Sequence, residues 1–163
     1  MISIIGLLAG LGLPAINGAI QAGKKAEVSA VAESIKTAVN AFYAEYSAYP
    51  TDGSGKSFTN TSKDFLTLIS TTNSTGVSVA NSRGIAFLEV PPKFTNASGI
   101  VTPKGFYSGT KQSNFCILID TGGLGYVNPK SVSSTLTNAN VPSSVAVWVV
   151  DPTTNKKAVG TFK

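Results

Sequence analysis

Histidine is absent from this sequence of 163 residues, and cysteine occurs once, at Cys116. These two scarcities exclude zinc sites of the Cys and His type, a Cys-His nucleophile pair and a disulfide within the chain. Because Cys116 lies in the apolar run 115–119, we interpret it as a small core residue, with a functional thiol as the alternative.

Patterns that support catalysis are also scarce. Glu27, Glu33 and Glu45 lie in a helix-favouring region without the spacing of a carboxylate pair. The string Gly-Ser-Gly-Lys-Ser at 53–57 lacks the full spacing of a phosphate-binding loop, and no buried strand precedes it. We therefore expect that the chain is not an enzyme, and an enzyme with an unrecognised site is the last of the alternatives.

Charge is missing from one long stretch and dispersed elsewhere. Residues 1–23 contain no charged side chain, and the first charges are Lys24 and Lys25. The net charge is +5, from 13 basic and 8 acidic residues, but the basic residues are scattered along the sequence, and only Lys24-Lys25 and Lys156-Lys157 are adjacent. A nucleic-acid site normally shows a basic stripe interleaved with aromatic residues, so we expect no nucleic-acid partner.

The uncharged stretch 1–23 is predicted to be a hydrophobic helix of a membrane or a filament core. About 20 residues rising roughly 1.5 Å each would just cross a bilayer core of roughly 30 Å. A cleaved signal peptide and a buried core helix are the alternatives, although no basic residue precedes Lys24 and the helical pattern continues past it. Its glycines would permit close approach of neighbouring helices, and its proline would weaken the helix locally. The expected assembly residues are Ile2, Ile4, Ile5, Gly6, Leu7, Leu8, Gly10, Leu11, Leu13, Pro14 and Ile16.

The same helix is predicted to continue through residues 24–49 with an amphipathic pattern. Apolar residues recur there at steps of three and four, which is typical of one buried helix face. This predicted head-packing face consists of Val28, Val31, Ile35, Val39, Phe42 and Tyr46. A helix of about 45 residues that changes from wholly apolar to amphipathic must be shared between two environments.

Residues 50–163 are predicted to form a globular head. A polar loop precedes a short helix at 62–68, where Ser62 is the expected cap and Phe65, Leu66 and Ile69 face inward. Strand-like runs follow at 115–119, 125–127, 145–150 and 157–162, separated by turn residues. The sequence therefore predicts an α+β fold, in which one face of a small antiparallel sheet packs on the amphipathic half of the long helix.

The first 50 positions resemble a known family. Residues 2–9, Ile-Ser-Ile-Ile-Gly-Leu-Leu-Ala, followed by Pro14-Ala15, resemble the helix of type IV pilins and type II secretion pseudopilins. The later run 41–46 with Tyr49-Pro50-Thr51-Asp52-Gly53 resembles the helix end of the major, G-type pseudopilins. The head is similar more weakly, at 83–89, 115–120 and 145–148. The resemblance implies a pilin-like fold.

It also implies a function, a location and partners. The expected function is that of a structural subunit of a pseudopilus or type IV pilus-like filament, stored in the bacterial inner membrane with its head in the periplasm. Its partners would be copies of itself, other pilins or pseudopilins, an inner-membrane assembly platform, and membrane lipid before assembly. The alternative is a membrane-anchored extracytoplasmic binding module that does not polymerise.

The sequence departs from the family at two points. Family members begin with a basic leader, a Gly-Phe cleavage site and an early glutamate, whereas Met1 aligns about eight residues into the mature helix, so we expect an alternative start codon or a trimmed chain. G-type pseudopilins bind calcium in a C-terminal loop, but the similar turn 120–125 has a single carboxylate, Asp120. We interpret Asp120 as a turn former and expect no cofactor, with weak calcium binding at Asp120 as the alternative.

Overall fold

The computed structural model describes residues 2–70, 81–107, 109–134, 136 and 140–162, and describes the side chains of the first helix from Ile16 onward. The chain forms a long helix α1 (Ile2–Tyr46), a short helix α2 (Lys63–Ser70) and two small antiparallel sheets. The first sheet pairs β1 (Thr95–Asn96) with β2 (Gly99–Ile100). This architecture confirms the predicted α+β class and the single long helix at the N-terminal end.

The helix α1 runs unbroken past Pro14 and ends at Tyr46, three residues before the predicted end at position 49. Ser47 has a φ of +52° and its amide donates to the carbonyl of Tyr43 at 2.8 Å. A residue in the left-handed region closes a helix in this way. The prediction placed the end at Tyr49-Pro50 because it relied on the proline as the stop signal.

Helix α2 begins one residue after its predicted cap and extends two residues beyond the predicted end. The Phe65 amide donates to the Ser62 hydroxyl at 3.4 Å, and Asp64 lies in the first turn, where its charge complements the helix dipole. The buried face consists of Phe65, Leu68 and Ile69, whereas Leu66 is only partly buried.

The second sheet has three strands in the order β3 (Cys116–Ile119), β4 (Val145–Val150) and β5 (Lys157–Gly160), all antiparallel. The prediction of a strand at 125–127 was wrong, since only Val127 pairs there, in a single bridge with Val141. Pro129 lacks an amide donor, and the chain turns into a short 3-10 helix at Pro129–Ser131 instead of continuing as a strand.

The central strand β4 is covered on both faces. Its side chains alternate between two apolar clusters, because successive residues of a strand point to opposite sides of the sheet. Val145, Val147 and Val149 belong to the main core with α1 and α2, and Ala146 and Trp148 belong to a smaller cluster. The sequence predicts that one sheet face packs on the helix and makes no prediction for the other face, which is covered by Val127, Leu136 and Val141.

Strand β4 runs antiparallel to α1. Ser144, just before β4, shares a groove with Tyr43 near the end of the helix. Asp151, just after β4, shares a groove with Lys25, where the helix enters the head. The head therefore has one end at Lys25 and the opposite end at Tyr43.

Candidate functional site

The predicted head-packing face of α1 lies against the main core. Val28, Ile35, Val39 and Phe42 have no exposed surface, and Val31 and Tyr46 are partly buried against the same cluster. Two small residues of this face, Ala32 and Ala38, are also buried and were missed by sequence analysis. Alanine is common on every face of α1, so its position in the apolar repeat was the only signal that could have found them.

The part of α1 that precedes the head has a different environment. Residues 16–23 are all exposed, and Ile16 and Ile20 expose 56% and 50% of their surface. A Cβ atom placed on Gly18 or Gly23 would meet no atom within 4 Å. This stretch of helix thus carries large apolar side chains that the head does not cover. We call residues 16–23 the exposed segment.

Of the predicted assembly residues, Ile16 is the one whose side chain is described, and it lies in the exposed segment. The side chains of the others, at positions 2–14, lie outside the described residues, although the backbone there is helical. Among the described residues, no helix combines the length and the apolar content needed to cross a membrane.

A polar network centred on the buried Asn81 ties the end of α1 to the segment after residue 80. The Tyr46 hydroxyl donates to the Asn81 side-chain oxygen at 2.7 Å, and the Arg83 amide donates to the Tyr46 hydroxyl at 3.2 Å. The Asn81 oxygen also accepts from the Ile85 amide at 3.0 Å, and Glu45 forms an ion pair with Arg83. This network was not predicted, because its partners are far apart in the chain and form no local pattern in the sequence.

Asp120 serves as the turn former that the sequence predicted. Its carboxylate accepts hydrogen bonds from the amides of Leu124 at 3.0 Å and Gly125 at 2.7 Å. These bonds, the one from Leu124 first, hold the pKa of the carboxyl below its ordinary value. Within the described ranges, no group of three or more His, Cys, Asp and Glu residues is placed to hold a metal ion.

Cys116 lies at the start of β3, partly buried beside the smaller apolar cluster. Burial raises the pKa of its thiol to about 11, so the thiol is neutral at physiological pH. This position fits the small core residue predicted from the sequence and gives the thiol little reactivity as a nucleophile.

The described residues thus bring together a buried helix face, a polar network at its far end and an exposed apolar helix at its near end. The string at 53–57, already excluded as a phosphate loop, is a turn closed by a bridge between Thr51 and Ser57. Comparison of the chain with protein-family models, with curated proteins and with solved structures finds no match.

Proposed function

We propose that this chain is a structural subunit of a pseudopilus or type IV pilus-like filament, assembled through α1. The observation that carries the proposal is the contrast within one helix: its second half is buried in the head, and its exposed segment presents Ile16 and Ile20 to solvent. Contiguous apolar surface that a protein does not cover itself usually marks an interaction site.

Packing against the same helix of other copies would cover this surface. The apolar sequence continues from the exposed segment back to Ile2, and a helix of 22 residues from Ile2 to Gly23 is about 33 Å long. Burying its isoleucines and leucines would contribute about 25 cal/mol for each Å² removed from water. The heads, which are polar outside, would then surround a core of helices.

The resemblance of the first 50 positions to pilins and pseudopilins supports the same proposal. It adds storage of the subunit in the inner membrane, with the head in the periplasm, and an assembly platform as a further partner. The proposed role of the chain is structural, so sustained turnover of any substrate by the purified chain would contradict the proposal.

Crosslinking between copies tests the proposal. In a Cys116→Ala background, Ile20→Cys places a thiol on the exposed segment, and Thr110→Cys places one on an exposed loop of the head as a matched control. With a bismaleimide applied to intact cells, we expect dimers from Ile20→Cys well above those from Thr110→Cys, and filaments by electron microscopy of the envelope fraction.

Monomers alone from both variants, with no filaments, would overturn the proposal. If the chain then stays in the membrane fraction, the membrane-anchored binding module becomes the better description.

A further inference from the structure

Two grooves flank α1 where the helix enters the head. Lys24, Lys93 and Lys104 line one groove, together with Glu27. The other groove lies on the side of Gln21 and Lys25 and brings in the loop between β4 and β5. Its basic residues are Lys25, Lys156 and Lys157, and its single acidic residue is Asp151. We call the six lysines of the two grooves the basic collar.

The basic collar holds most of the net charge of the chain. Its six lysines face two carboxylates, which leaves an excess of four positive charges out of a net charge of +5. The fold therefore gathers two adjacent pairs, Lys24-Lys25 and Lys156-Lys157, and two single lysines, Lys93 and Lys104, at one end of the head.

Some of these lysines are held in place by bonds to the protein. The Lys93 ammonium lies 3.0 Å from Glu27, and the Lys24 ammonium donates to the Gly105 carbonyl at 2.9 Å. Lys157 is partly buried over the Phe162 ring, at 4.1 Å from its centroid. Lys104 and Lys156 are exposed, and their side chains have no bonding partner among the described residues.

The basic collar lies at the border of the apolar exposed segment, and this position indicates the kind of surface that it binds. Ile20, half exposed, lies one helical turn before Lys24, so the apolar exposed segment emerges from the middle of the lysines. Apolar side chains on one side and lysine ammonium groups at their border are the arrangement that suits the boundary between acyl chains and lipid headgroups. The exposed isoleucines next to the lysines favour a lipid surface over a nucleic acid as the binding partner.

From this arrangement we infer that the basic collar docks the head on an anionic lipid surface, with phosphate groups of lipids such as phosphatidylglycerol between the lysines. The inference rests on the membrane-stored stage of the proposed function and does not require a filament. A lysine held near an anionic bilayer strengthens binding about five-fold, and salt weakens this attraction by screening.

Vesicle flotation of the full chain tests the inference. The probes are vesicles of phosphatidylcholine alone and vesicles of equal parts phosphatidylcholine and phosphatidylglycerol, each at low and at high salt. The collar variant is Lys104→Gln with Lys156→Gln, one from each groove. The control variant is Lys56→Gln with Lys130→Gln, two exposed lysines outside both grooves that change the net charge equally.

We expect the unaltered chain and the control variant to bind the mixed vesicles more strongly than phosphatidylcholine alone, with the difference lost at high salt. The collar variant should bind the mixed vesicles about 25-fold more weakly, because two contributions of about five-fold are removed. All four altered lysines are exposed, and matching circular dichroism spectra would establish that both variants are folded.

Two results of the flotation experiment would overturn the inference: equal binding to the two kinds of vesicle, or equal losses in the collar and control variants. A third is collar-dependent retention of the same chains on immobilised duplex DNA, without a preference for vesicles that contain phosphatidylglycerol. Filaments that form while any of these results holds would leave the proposed function in place and remove the inference alone. Lipid docking by the collar without any filaments would support the inference and contradict the proposed filament function.

Discussion

Replacing Phe42 with alanine tests whether α1 and the head unfold as one cooperative unit. The Phe42 side chain has no exposed surface, and its ring packs against those of Tyr46 and Phe87, with centroid distances of 4.7 and 5.4 Å. A buried Phe→Ala substitution removes apolar contact and leaves a cavity, which costs about 3–5 kcal/mol of unfolding free energy. For a chain of this length the melting temperature should fall by about 6–20 °C.

The matched control is Tyr43→Ala, one position along the same helix. Tyr43 is 45% exposed and stacks on Tyr49 at 4.4 Å, so its loss should cost about 1 kcal/mol. Urea unfolding of both variants in mild detergent, followed by near-ultraviolet circular dichroism, measures the two free energies. If Phe42→Ala costs no more unfolding free energy than Tyr43→Ala, the buried face of α1 does not belong to the cooperative core.

Three further predictions concern the head. Gly99→Ala should destabilise the chain by more than about 2 kcal/mol in thermal unfolding, because Gly99 has a φ of +116° and a Cβ there would lie 2.3 Å from the Thr61 carbonyl oxygen. Gly123→Ala, which is also at positive φ but has open space around it, should cost less than half as much stability. The Cys116 thiol, with its pKa raised to about 11, should react with Ellman's reagent at pH 8 at least about 100-fold more slowly than a free cysteine, and fast reaction of the folded chain would contradict its burial. Because the pKa of Asp120 is lowered in the folded chain, its ionised carboxylate stabilises the fold fully above about pH 5 and progressively less as the pH falls through the pKa of the folded state. Asp120→Asn should therefore lose less melting temperature between pH 5 and pH 3 than the unaltered chain. Parallel curves of melting temperature against pH would refute this prediction.

Features with a short sequence period were predictable. The repeat of Val28, Ile35 and Phe42 identified the buried face of α1, because a helix returns to the same side every three to four residues. The β-branched run 145–150 identified the central strand to the residue. The cap at Ser62 also identified the start of α2.

Features made by distant residues were not predictable. The hairpin of β1 and β2 has only two residues in each strand, too few to show alternation, and its tight approach to Thr61 depends on Gly99. The network of Tyr46 and Asn81 joins residues 35 positions apart. The basic collar likewise brings Lys24 beside Lys93, which no local pattern in the sequence could indicate.

Because β4 runs antiparallel to α1, with both elements lying along the same direction, the interface between them decides how the chain would bear a load. The fully buried positions from Val28 to Phe42 extend about 21 Å along the helix axis. A pull on the exposed end of the helix, opposed by a drag on the head, would act along this interface, so its contacts would be strained together in shear. A pull at right angles would peel them apart one turn at a time. Tension along the helix is therefore the direction in which this head is hardest to detach.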